Sequence, residues 1–399
     1  GFGLTDSYPE ANARHYAFML EGLAETELAL RKRGLGFVIR LGSPDDVALG
    51  LAGQAALVVC DRGYLRSQRR WRKRVAAEAG CRVLQVEGDV VVPVDLVSAK
   101  QEIGARTLRP KLLRLRDQFL RPLRRQHPRD SAERIKVASD VDLTDIPALL
   151  ARLNIDRSLP PVGNFRGGYK EAKRRLDEFA TRRLQRYVAA RAHPGEAEVS
   201  TLSPYLHFGQ ISPVEVGVAA RDAKAPDENS ASFLEELIVR RELAMNFVHT
   251  TPNYGQYDCL PEWARQALAA HRRDRREHLY GWDQLAGANT HDPYWNAAMR
   301  EMLLTGYMHN YMRMYWGKKV LEWSPSPEEG YAALLRLNNM FFLDGRDANS
   351  YANVGWVFGL HDRPWPERPI FGKVRSMTAS GLRRKTDIDD YVRQISALS

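Results

Sequence analysis

Residues 292–323 read DPYWNAAMREMLLTGYMHNYMRMYWGKKVLEW, and the reading of this stretch decides the rest. Trp316 and Trp323 are seven residues apart, which puts them on one face of a helix about 10.5 Å apart along its axis. Trp295 lies three heptads upstream of Trp316, and Gly306 between them predicts a break or bend. Tryptophans at helical spacing usually fill a core. Their company is less ordinary. Asn310, Arg313 and Met314 project from the same helical region, and LNNMFFLDGRDANSYANVGW at 337–356 adds Asn338, Asp344, Asp347, Asn349 and Trp356. Amides, one arginine and carboxylates beside aromatics suit a bound heteroaromatic cofactor whose ring edges take hydrogen bonds. A plain core has no use for them.

At 399 residues the chain has room for two or more domains. Lys and Arg total 59 against 49 Asp and Glu, and the pI is about 9.5, a balance that favours a polyanionic partner. Cys60, Cys81 and Cys259 are scattered and lack metal-ligand spacing, so no metal site is expected and the chain reads as reduced and cytoplasmic. No apolar run approaches the ~18 residues of a membrane span, and no signal peptide is visible. A monomer is expected, nucleoid-associated in a prokaryote or nuclear in a eukaryote.

Apolar residues at near-helical steps predict a helix over 12–32, stopped by Gly34. Strands are predicted at 36–42, at 55–61 and near 83–93, with a short helix at 44–51. Such alternation implies βαβ units and a parallel, Rossmann-like sheet. No GxGxxG or Walker loop occurs. The arginine-rich runs at 62–74 and 109–129 read as solvated helix faces rather than DNA contacts. Prolines at 147, 160 and 161 and Gly163 mark 130–165 as a linker. From Tyr169 the pattern turns helical, with a stripe from Ala172 to Val188 and further helices at 230–248, 260–271, 296–321 and 328–339. The fold class is therefore an α/β domain (1–129), a linker (130–165) and an all-α domain (166–399).

The runs GYMHNYMRMYWGKKVLEW, LDGRD, HDRPW at 361–365 and FGKVR at 371–375, with LSPYLHFGQIS upstream at 202–212, resemble class II cyclobutane pyrimidine dimer (CPD) photolyases. The resemblance covers nearly the whole chain. Relatives carry a strand, a helix and most of a second strand before the position equivalent to GFGLTD, so the first domain is expected to be truncated at its start. The resemblance implies an FAD-binding helical domain, with reduced anionic FAD as the active form, and an α/β domain able to hold an antenna chromophore, a deazaflavin or a folate.

It also implies roles. Ser200, Thr201, Leu202 and Ser203 would hold the FAD diphosphate, Tyr187 and Asn310 are further flavin contacts, and Arg313 pairs with Asp344 beside the isoalloxazine. Hydroxyls and free N–H groups before a helix such as that starting at Ser212-Pro213 suit phosphate oxygens. Asn338 would face flavin N5. Glu236 would donate to the pyrimidine carbonyl of the lesion, protonated through burial against apolar neighbours. Met314 and Trp356 would pack the thymine rings. Arg191, Arg240, Arg241, Arg363 and Trp365 would meet DNA, and Trp295, Trp316 and Trp323 would relay electrons to oxidised flavin, in an order the sequence leaves open. Two departures stand out: Met245 where relatives carry an acidic residue, and an interval from Trp356 to Asp362 one residue short. The function implied is light-driven CPD repair in DNA. A cryptochrome-type receptor and a cofactor-free DNA scaffold are the rivals.

Overall fold

The computed structural model describes residues 1–124, 126, 128–132, 135–196 and 198–398. Parts of the predicted basic run 109–129, of the linker and of the C-terminal end thus lie outside the described residues. Four short strands form two parallel pairs: β1 (Phe2–Leu4) with β2 (Ile39–Leu41), and β3 (Leu57–Asp61) with β4 (Arg82–Val86). Helices Ala13–Arg31, Pro44–Ala52 and Arg66–Glu78 lie between them in the chain. Parallel pairing needs such crossovers, since a tight turn can join only antiparallel strands.

The third predicted strand ends early. It stops at Val86, and Val90, Val91 and Val92 are instead buried in cores shared with the later helices. There the N–H groups of Val91 and Val92 bond Glu242 at 2.6 and 3.3 Å. A side-chain carboxylate thus replaces the ladder partner that a longer strand would require. The segment expected as a linker carries the helix Ile146–Arg152, and Val141, Leu143, Leu149, Leu153 and Ile155 share a core with Leu4, Tyr16, Leu20 and Ile39. It covers the β1–β2 pair.

The rest is helical. The stripe predicted through 172–188 is broken into Tyr169–Thr181, a 3-10 turn at Arg183–Arg186 and Tyr187–Ala190. Gly306 takes a left-handed φ of 68° and caps helix Pro293–Thr305 before helix Asn310–Trp323 begins. Any side chain there would be strained and would meet Leu343. Among the described residues no helix is long and apolar enough to cross a membrane.

Much of the arginine surplus is spent internally. Arg74 pairs with Asp45, Asp46 and Glu78, and Arg62 with Glu87 and Asp95, while Arg69 donates to the His249 carbonyl.

Glu242 supplies a test of the seam between the two halves. Burial pushes its carboxyl from 4.5 up to about 8, so between those values the folded chain holds a proton the unfolded chain has lost. Stability therefore falls as pH rises through that window. We expect Glu242→Gln, a mimic of the protonated acid, to match the parent in urea midpoint at about pH 5 and to exceed it at about pH 9.

Candidate functional site

Helix Asn310–Trp323 begins at His309, whose ring Nδ1 accepts from the Tyr311 N–H. On its first turns Arg313 forms a two-pronged pair with Asp344, both bonds at 3.0 Å. Its Nε also donates to the Met308 carbonyl at 2.9 Å, and its guanidinium lies 3.9 Å over the Phe342 ring. A planar fork held on three sides is fixed in orientation. Asn338 is buried one helix away, its amide nitrogen bonded to Asn339. Asp344 follows in the turn between helices Pro327–Phe341 and Ala348–Val357.

Trp316 packs edge-on to Phe342 at 5.9 Å and is stacked on Trp295 at 6.4 Å, with 16° between the rings. Trp295 then meets Trp323 at 5.7 Å. The three are therefore ordered Trp316, Trp295, Trp323, with Trp316 nearest Arg313's aromatic neighbour and Trp323 against Tyr280 and His291. Trp295 donates its indole N–H to the Trp316 carbonyl at 3.0 Å. The indole N–H of Trp316 and Nε2 of His309 are buried without a hydrogen-bond partner, which suits an acceptor-bearing ligand at this place. Two narrow clefts among the described residues lie instead at Glu242 and at Arg14. Orphaned donors mark the site better than those clefts do.

Glu236 lies in a π-helical turn, Glu235–Arg240, an insertion that widens the helix and re-aims its side chains. No sequence pattern announced it. Contrary to expectation, Glu236 is not enclosed by apolar groups. It is half-buried and accepts from Arg191 at 2.7 Å, while Arg191 also stacks over Tyr187 at 5.3 Å. Arg240 is exposed and pairs with Glu235. Arg241 departs from its predicted role: it is buried and ion-paired to Asp89 of the first domain, so it faces away from any solvent-borne nucleic acid. Met245 is buried in the apolar core that also holds Tyr64 and Leu65, an environment suited to its apolar side chain.

Thr201 takes a positive φ of 53° and accepts from Arg175 at 3.0 Å, while Ser200 Oγ accepts weakly from the Leu202 N–H. Ser203 opens the short helix Ser203–His207. Arg175, which also lies 4.5 Å over Phe165, went unremarked in the sequence because it sits in a run of helical basic residues. Asn310 is exposed and Met314 half-buried one turn later. Trp356 and Trp365 are half-buried and Arg363 exposed; Trp365 donates to Asp362 at 3.3 Å, and Arg375 lies over both tryptophans. Arg375 belongs to the quoted FGKVR run, yet its contact was legible only in three dimensions.

Residues 2–129 match the family described as DNA photolyase. A deoxyribodipyrimidine photo-lyase of Methanothermobacter thermautotrophicus is 46% identical over 100% of this chain and 87% of its own length. Those of Oryza sativa (38% over 98% and 79%) and Potorous tridactylus (37% over 99% and 75%) follow the same pattern. In fold the chain is similar to a class III photolyase from Agrobacterium tumefaciens, with TM-score 0.76 and 20% identity over 99% of this chain and 80% of that one. It is similar also to a Synechocystis cryptochrome, with TM-score 0.71 and 17% identity over 97% and 77%. The chain belongs to the photolyase and cryptochrome family. Within that family it is an enzyme of the deoxyribodipyrimidine photo-lyase kind.

Asp347 holds this region together. It caps helix Ala348–Val357 through the Asn349 N–H at 2.8 Å and pairs with His207 at 3.1 Å. Burial raises its carboxyl, but His207 and Arg241 outweigh that and hold it well below the carboxylate range. We expect Asp347→Ala to cost about 2 kcal/mol, read as a lowered unfolding midpoint, through loss of the cap and of the histidine's partner.

Proposed function

We propose that the chain repairs cyclobutane pyrimidine dimers in DNA by light-driven electron transfer from FAD bound among the C-terminal helices. The observation that carries this reading is the Arg313–Asp344 fork set beside Trp316, the inner end of a continuous tryptophan series. Full-length relatives that are deoxyribodipyrimidine photo-lyases support it, as does a photolyase of the same fold from Sulfolobus tokodaii with two FAD molecules. The divisions at residues 129 and 165 belong to the same proposal.

When bound, the reduced flavin supplies the electron that opens the cyclobutane ring and takes it back afterwards. Arg313 would place a fixed cation beside the ring system, where it favours the anionic form, and Asp344 keeps the fork from rotating. Asn338, an amide able both to donate and to accept, is suited to N5, which changes between those needs with redox state. Tyr187, Asn310 and the 200–203 turn are the remaining proposed flavin contacts. Glu236 is the proposed partner of the dimer carbonyl, with Met314 and Trp356 as walls for the pyrimidines. Extrusion is cheapest for a lesion that already stacks and pairs badly. Arg191, Arg240, Arg363 and Trp365 are proposed contacts to the DNA. Trp323, Trp295 and Trp316, in that inward order, would carry electrons to oxidised flavin.

A receptor that binds flavin without repair is the second reading, and Glu236, Met314 and Trp356 together weigh against it. Irradiating the reduced protein with an oligonucleotide carrying a CPD should restore thymines, whereas one carrying a 6–4 photoproduct should stay unchanged; the absence of CPD repair would leave the receptor reading standing.

Two variants separate the roles. Glu236→Ala should keep flavin and lesion binding but lose repair yield by roughly 10- to 100-fold, and loss of flavin instead would make Glu236 a structural residue. Trp316→Phe should abolish photoreduction of oxidised flavin while chemically reduced enzyme still repairs; photoreduction at the parent rate would remove the relay.

A further inference from the structure

Among the described residues, one buried cation lies directly beside Trp356. Lys318, on helix Asn310–Trp323, is completely buried and has no carboxylate partner among the described residues. Its ammonium donates to the Val357 carbonyl and lies 4.9 Å from the centroid of the Trp356 ring. Arg375 approaches the same ring at 5.7 Å. An unpaired buried ammonium is costly, and a methionine would fill the same space without that penalty. What the charge does obtain here is the face of an indole and one carbonyl, the pattern of a cation–π anchor. The ring it holds is the one read above as a wall for the damaged pyrimidines.

We propose that Lys318 is a positioning residue for lesion recognition: its buried ammonium fixes the Trp356 indole, and its charge state sets affinity for the dimer. This rests on the reading of Trp356 as a lesion contact. Burial lowers the Lys318 ammonium to about 7; Asp362 opposes that shift and Arg375 adds to it. Asp362 and Arg375, both from the segment that follows helix Ala348–Val357, are the charged groups acting on it. Below that value the ring is anchored by a cation. Above it the ammonium is neutral and the anchor is reduced to the bond with Val357.

The test is dark binding of a duplex oligonucleotide with a single cyclobutane thymine dimer, compared with the undamaged duplex, at about pH 6 and about pH 9. The parent's preference for damaged over undamaged DNA should fall about fivefold across that range, the worth of one cation–π contact. Lys318→Arg, whose charge does not titrate, should hold the low-pH preference throughout. Lys318→Met should show the weaker preference at both values. A parent preference that does not change with pH, or a Lys318→Arg profile that titrates like the parent, overturns the proposal, and the arginine variant decides the matter even if the methionine variant fails to fold. Trp356→Leu separates the two layers. If it leaves lesion preference intact, the reading of Trp356 itself fails. If it weakens preference while Lys318→Arg still titrates, only the role of Lys318 falls.

Discussion

A buried indole N–H is costly to leave unpaired, and the way Trp295 avoids that cost organises the C-terminal half of this protein. Its partner is the backbone carbonyl of Trp316, on the next helix, so the bond is available only if the two helices lie side by side. Gly306 makes that possible by reversing the chain in a conformation that other residues resist. Asp292 then clamps the pair: one oxygen caps the N–H groups of Tyr294 and Trp295, and the other takes the hydroxyl of Tyr315 from the facing helix. With the helices so fixed, Trp316 lies between Trp295 and Phe342, and Phe342 is the surface on which Arg313 rests. The aromatic series and the ionic fork are thus two consequences of one packing arrangement.

The two halves of the chain are joined by polar groups that neither half satisfies alone. Arg14, on the first long helix, is buried and donates to the carbonyls of Met302, Leu303 and Phe341, at helix ends in the second half. His15 beside it meets Phe342 and Arg346. Glu242 and Arg241 reach the other way, to Val91 and Asp89, and Asn246 bonds Glu102. Each of these groups would be expensive to leave unpaired in a low-dielectric seam. Removing one member of such a pair while the other stays buried therefore weakens the seam, and Phe342 receives its position from both sides.

This arrangement also explains what the sequence could and could not convey. Strand β1 at Phe2–Leu4 was not anticipated, whereas β2 and β3, the 12–32 helix, the break at Gly306 and the main helices of the second half follow from period and punctuation, and they stand within a few residues of where the pattern placed them. The truncated third strand did not, because Val90–Val92 have the composition of a strand but spend their N–H groups on a carboxylate some 150 residues away in the chain. The π-turn at Glu235–Arg240 leaves no trace in hydrophobic spacing. Arg241 carried the same sequence signal as Arg240, yet one turned inward to Asp89 and the other outward. Periodicity assigns a face, whereas the partner of a charge is decided by what another domain presents.

The same distinction governs the charge balance. A net formal charge of +10 looks like an invitation to a polyanion, but Arg62, Arg69, Arg72 and Arg74 in the run 62–74 are bound to carboxylates and carbonyls of the protein itself. Of the two exposed cations Arg363 and Arg240, the first lies over Trp365 and the second is paired with Glu235, so local placement rather than total charge decides what each presents to solvent. Glu236 makes the point most sharply. With Oε1 already engaged by Arg191, Oε2 is the carboxyl oxygen outside that pair, so a single hydrogen bond rather than the sum of charges decides which atom of the group is available.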